Sequence, residues 1–146
     1  MTSIVQLLRY QEGEVLHAYP DHLGYWTIGV GRLIDQRKGG GISQAESGLL
    51  LSNDILNKER DLDQHITWWR DLSPVRRMAI VSMCFQMGIN GLLNFKETLE
   101  HWEKGDYENA AKSALDSRWA KQTPIRAKEI AEMIRSETLP DAVKGG

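Results

Sequence analysis

Three residues close to the N-terminus have the types and the spacing for acid-assisted hydrolysis. Glu12 ends a stretch patterned as a helix, Asp21 follows a proline, and Thr27 lies in a β-prone run beside Gly29 and Gly31. Two carboxyls and a hydroxyl carried on three different local elements can converge on one cleft. One carboxyl would then protonate a leaving oxygen while the other orients a water, the division of labour that inverting glycoside hydrolysis requires. The ordinary readings stand beside this one. Asp in a Pro-Asp turn often bonds its own backbone, and a Glu near a helix end is often simply solvated.

The elements that must position these groups can be read from caps and periodicity. Ser3 is placed as an N-cap, Ile4, Leu7 and Leu8 follow at helical spacing, and Gly13 can take the positive φ that ends a helix. From Leu16 to Ile34 short β-prone runs alternate with turn signals at Pro20-Asp21 and Leu23-Gly24, and Tyr25 to Ile28 reads as a strand. Asp35 to Gly41 reads as a loop. Ser43-Gln44-Ala45-Glu46 is a capping box with Ile42 placed as its staple. Ala45, Leu49, Ile55, Leu62 and Ile66 then keep one face of a long helix apolar.

Ser73-Pro74 opens another helix, carrying Val75, Met78, Ala79 and Phe85 and ending around Gly88. Shorter helices are expected from Phe95 to Lys104, from Tyr107 to Asp116 behind an Asp106 cap, and from Ile125 to Arg135 behind Thr123-Pro124. The order gives an α+β fold in one domain over residues 1–146. A small β lobe occupies about 13–42, a connecting helix about 43–67, and a helical lobe about 68–146 together with the N-terminal helix.

Composition narrows the classes. A hydrophobic share of 41% supports a core, and a net charge of −2 argues against a dedicated nucleic-acid binder. Lys112, Arg118, Lys121, Arg126 and Lys128 against Asp116 make a locally basic region that suits a polyanion such as a bacterial wall, although on charge alone a solvated face is the better reading. Cys84 is the sole cysteine and sits in an apolar run, so it reads as a small hydrophobe. The four histidines lack metal-ligand spacing, and neither metal nor cofactor is expected. Most of the five tryptophans are expected in the core or at a lobe interface, with Trp26 on the strand face opposite Thr27. The N-terminal apolar run is too short and too polar for a signal peptide or a membrane span, so accumulation in the cytoplasm is expected.

Several segments together carry a resemblance. Glu12-Gly13, Ala18-Tyr19-Pro20-Asp21 and Leu23-Gly24-Tyr25-Trp26-Thr27-Ile28-Gly29-Val30-Gly31 resemble the signature of phage lysozymes. Arg76-Arg77, Phe85-Gln86-Met87-Gly88 and the run from Ser117 to Ala127 resemble the helical lobe of the T-even coliphage type. The correspondence keeps its order from about Leu7 to about Arg135. The chain is thereby identified as a member of the phage-type lysozymes, endolysins of glycoside hydrolase family 24.

The resemblance implies a lysozyme-like α+β fold and a muramidase that cleaves the β-1,4 bond between N-acetylmuramic acid and N-acetylglucosamine for host-cell lysis. On it, Glu12 is the general acid, Asp21 the second carboxylate and Thr27 the residue that helps hold the attacking water. Leu33, Phe85, Thr98 and Ser113 match positions that touch the sugars, with Thr98 standing where Ser is familiar and Ser113 where Asn is. Gln86 is either a donor to an N-acetyl group or a helix-surface amide. Arg126 should reach Glu12, where its charge opposes the retention of the acid's proton. Arg32 stands where relatives carry a His in an ion pair, with Asp54 aligned as its partner, so that pair would keep its charge where a His–Asp pair loses it. The loop at 35–41 is shorter than in the largest relatives.

The partner implied is bacterial peptidoglycan, met by a monomer. A holin would release the enzyme from the host cytoplasm to the periplasmic wall without forming a stable complex. A non-catalytic wall-binding module and a lytic transglycosylase are the alternatives. The latter needs one carboxyl and leaves 1,6-anhydro ends, so the presence of Asp21 and Thr27 favours hydrolysis.

Overall fold

A computed structural model describes residues 3–20, 22–30, 32–34 and 41–144, excepting the side chains of Ser3, Ile4, Leu7, Leu8 and Glu12. Helix α1 spans Ser3–Glu12, and three antiparallel strands follow, β1 over Val15–Pro20, β2 over Trp26–Gly29 and β3 over Arg32–Leu33. The remaining helices are α2 (Gln44–His65), α3 (Pro74–Leu93), α4 (Lys96–Glu103), α5 (Tyr107–Leu115), α6 (Arg118–Gln122) and α7 (Pro124–Ser136), with 3-10 turns at Trp69–Asp71 and Asp141–Val143. The fold is α+β, as expected. Contacts divide the chain into two units, 1–50 and 51–146.

In the first unit, Gly13 adopts φ +73° and its N–H donates to Arg9 O at 2.9 Å, which ends α1 at the expected place. The chain turns directly into β1, where Val15 pairs with Gly29, Tyr19 with Thr27 and Pro20 with Trp26, across an irregularity between Val15 and Tyr19. Pro20 was expected in a turn. It closes the strand instead, a position where a missing N–H costs little ladder bonding. The alternation along β2 is sharp, since Thr27 is 3% exposed while Trp26 is 53% exposed. Trp26 thus lies on the face opposite Thr27, as expected, while Trp69, Trp102 and Trp119 are buried.

The capping box forms as read. Ser43 N–H donates to Glu46 Oε1 at 2.8 Å and Glu46 N–H to Ser43 Oγ at 3.1 Å, starting α2. The apolar stripe on α2 is only partly used. Leu62 is fully buried and Ile66 follows it into the core, but Leu49, Leu50, Leu51 and Leu56 are exposed.

In the second unit the core forms around Trp69, Ile80, Met83, Leu92, Trp102 and Ile134. Helices α5 and α7 pack against each other, and both bury small residues, Ala110, Ala111 and Ala114 in α5 and Ala127 and Ala131 in α7. Cys84 is buried as expected, and burial raises its thiol pKa. Pro74 opens α3 behind Ser73. At Gly88 (φ 76°, ψ 165°) the helix breaks as the glycine signalled, but it resumes to Leu93 rather than ending. Helix α6 was not foreseen. Its cap is Ser117, whose Oγ accepts from Ala120 N–H at 3.2 Å. Among the described residues no single helix is long and apolar enough to cross a membrane.

Candidate active site

The first unit carries the residues with catalytic chemistry. Glu12 is the last residue of α1, and its side chain lies outside the described part of the structure, as do the whole of Asp21 and residues 35–40, where a loop was expected. The sheet still relates the segments that bear these groups. The chain leaving Glu12 becomes β1 within three residues, and β1 lies against the strand that holds Thr27. Thr27 sits in the middle strand, opposite Tyr19 on one side and Leu33 on the other. Its hydroxyl donates to Tyr25 O at 3.1 Å. With its one proton committed, the oxygen keeps lone pairs that can accept from a water. Leu33, half-buried in β3, is the direct cross-strand neighbour of Thr27.

Arg32 corrects an expectation. Its guanidinium pairs with Glu46, Nη1 to Oε2 at 2.5 Å and Nη2 to Oε1 at 2.8 Å, and its Nε–H donates to Gly41 O at 2.9 Å, so Glu46 and not Asp54 is the partner. The physical reason is helix rise. Asp54 lies eight residues further along α2, about 12 Å along the axis, while the capping box already holds the Glu46 carboxylate beside Gly41. The Arg32 hydrogen bonds, then the two from Ser43, lower the Glu46 pKa to about 2.

The second unit carries the other residues expected to meet sugars, in three places. Phe85 of α3, 40% exposed, lines a cavity of about 580 Å³ with Leu51, Met78, Val81, Ser82 and Arg126. Arg126 Nη2 donates to Ser82 O at 3.0 Å and Ser82 Oγ at 2.9 Å. The expected Arg126–Glu12 contact falls on a side chain outside the described residues. Thr98 of α4 and Ser113 of α5 face each other, Oγ1 to Oγ 2.8 Å apart, on the wall of a groove of about 480 Å³ that also holds Phe95, Ser117 and Trp119. Gln86 is exposed and its Oε1 accepts from Trp119 Nε1–H at 2.9 Å, which leaves its amide N–H groups available. Sequence reasoning missed Ser82 and the Arg32–Glu46 pair; only the latter had a signal, in the capping box. Among the described residues no three His, Cys, Asp or Glu side chains could hold a metal ion.

A family model described as phage lysozyme matches residues 9–135, from α1 through α7. The chain belongs to the phage lysozyme family. It is 32% identical to a probable T4-type lysozyme 1 of Dictyostelium discoideum, over 95% of this chain and 97% of that protein. A probable T4-type lysozyme 2 of the same organism is 29% identical over 97% and 98%. The pre-baseplate central spike protein of Enterobacteria phage T4 is 31% identical over 94% of this chain but only 28% of its own length. Membership in the phage lysozyme family carries glycoside hydrolase activity of the peptidoglycan-cleaving kind.

Proposed function

We propose that this phage lysozyme is a muramidase that adds water across the β-1,4 bond between N-acetylmuramic acid and N-acetylglucosamine, serving host-cell lysis. Glu12 donates the proton to the leaving oxygen, Asp21 activates the water and Thr27 orients it. The observation that carries this reading is Thr27: a buried residue of the middle strand whose hydroxyl spends its proton on Tyr25 O and keeps oxygen lone pairs that can accept from a water. A transglycosylase has no use for such a group. Leu33, Phe85, Gln86, Thr98 and Ser113 make the sugar contacts, and Arg126 supports Glu12. The enzyme works as a monomer on the periplasmic wall, after a holin has released it from the host cytoplasm.

The test is digestion of purified Gram-negative peptidoglycan by the parent and by Glu12→Gln, with the fragments analysed by mass spectrometry. Reducing muramic ends from the parent alone are the expected result. Anhydro ends would replace hydrolysis with transglycosylation, and intact glycan with bound parent protein would reduce the chain to a wall-binding module.

A further inference from the structure

The strand that borders Thr27 is too short to fix itself. β3 has two residues, paired as Thr27 with Leu33 and Ile28 with Arg32, and a small hairpin of this kind is marginal in water without outside support. That support comes from the chain ahead of α2. Gly41 N–H donates to Leu33 O at 3.0 Å, and Arg32 Nε–H donates back to Gly41 O at 2.9 Å. The Arg32 fork then closes on the Glu46 carboxylate in bidentate geometry. Glu46 is itself fixed, because its Oε1 also accepts from Ser43 N–H and its own N–H donates to Ser43 Oγ.

We propose that Glu46, acting through Arg32, is a positioning residue that sets the place of Thr27 for the water-addition step. The inference rests on the reading of Thr27 given above. The connection runs from the first turn of α2 through one carboxylate and one guanidinium to the residue opposite Ile28, the immediate neighbour of Thr27. Thr27 is paired across the same short strand, so a shift of β3 moves the backbone that carries its hydroxyl. A displacement of a fraction of an ångström at a water-holding group changes rate far more than it changes substrate affinity.

Glu46→Gln is the suitable variant, since glutamine also completes a capping box and the start of α2 is kept while the charge pairing is lost. On a soluble glycan substrate, kcat should fall about tenfold and KM should stay within about twofold. The deciding measurement is the combination with Thr27→Ala: if Glu46 acts through Thr27, the double variant is no slower than Thr27→Ala alone. An unchanged kcat in Glu46→Gln, or losses that simply multiply in the double variant, would overturn the proposal. Full activity in Thr27→Ala would strike down the functional reading itself, and this inference with it. Should Glu46→Gln melt early, Arg32→Lys keeps the charge, gives up the bidentate fork and is read the same way.

Discussion

Arg126 Nη2 donates to both oxygens of Ser82, so α7 is tied to α3 through one guanidinium nitrogen that spans 44 residues of chain. The guanidinium carries further N–H groups that can donate to a carboxylate. Under the proposed mechanism that carboxylate is Glu12, and the cation favours its ionised form. Arg126→Ala should therefore raise the Glu12 pKa and move the alkaline limb of the kcat/KM profile to higher pH, because the acid keeps its proton longer. A carbon-detected NMR titration of the Glu12 carboxyl checks this. Identical curves in parent and variant would show that Arg126 serves only Ser82.

Arg76 should matter for stability more than any other exposed-type residue in the second unit. Its side chain is 12% exposed and lies 3.5 Å from the centre of the Tyr107 ring. It donates to Ile134 O at 2.7 Å and Arg135 O at 3.2 Å, satisfying carbonyls at the end of α7. Arg76→Ala removes the cation–π contact and leaves those carbonyls short of partners, a loss of about 2–4 kcal/mol. Urea denaturation at neutral pH measures it, and Arg76→Lys should recover less than half, since an ammonium lacks the planar fork.

The Thr98–Ser113 hydrogen bond predicts non-additivity. Thr98 is 2% exposed, and Thr98→Val keeps its shape while stranding the Ser113 hydroxyl, at a cost of about 1–2 kcal/mol. Adding Ser113→Ala should return part of that loss, because neither group then lacks a partner. A double-mutant cycle by thermal melting decides. If the single losses add, the two hydroxyls do not depend on each other.

Acidification should weaken the fold through Asp63, which is ion-paired with Arg70. Asp63 accepts from Arg70 Nε and Nη2 and from Trp69 Nε1–H, which hold its carboxyl below the usual range, Arg70 foremost. A depressed folded pKa contributes stability that is fully present above the unfolded value, about 3.9, and is lost as pH falls through the folded one. Glu46, lowered to about 2, contributes in the same sense. Urea midpoints taken between pH 6 and pH 2.5 should drop below about pH 4, and Asp63→Asn should flatten that drop.

Near neutrality the Arg32–Glu46 pair does not titrate, whereas Arg32→His would. A histidine that gains Glu46 as partner has its pKa raised on folding, so its contribution is present below about pH 6.5 and fades as pH rises through the folded value. Thermal melts of Arg32→His between pH 5.5 and 8 should slope, while the parent stays level at this contact. Matching curves would remove Arg32 from the account of pH tolerance.

Local chemistry was the legible part of this chain. Gly13, the Ser43–Glu46 box, Ser73-Pro74 and the Asp106 cap each act within a few residues, and each appears where the sequence put it. Thr27 stood out because strand alternation alone sends it away from Trp26. The partner of Arg32 was not legible, since an alignment with relatives names a position and not a reach, and the helix rise decides between Glu46 and Asp54. The exposed leucines of α2 escaped for a similar reason, because periodicity shows that a face is apolar but not what covers it. Ser82 gave no signal, as a hydroxyl in mid-helix has many uses.

Gly88 sits at φ 76° and ψ 165°, with open space where a side-chain carbon would project. That backbone region is almost closed to L-residues even when nothing crowds them. The bend in α3 is thus secured by chirality rather than by bulk. Its mirror image lies in the extended region that any ordinary residue occupies, so a D-alanine ligated at position 88 would sit there at ease while its L-enantiomer would pull the two segments of α3 out of line.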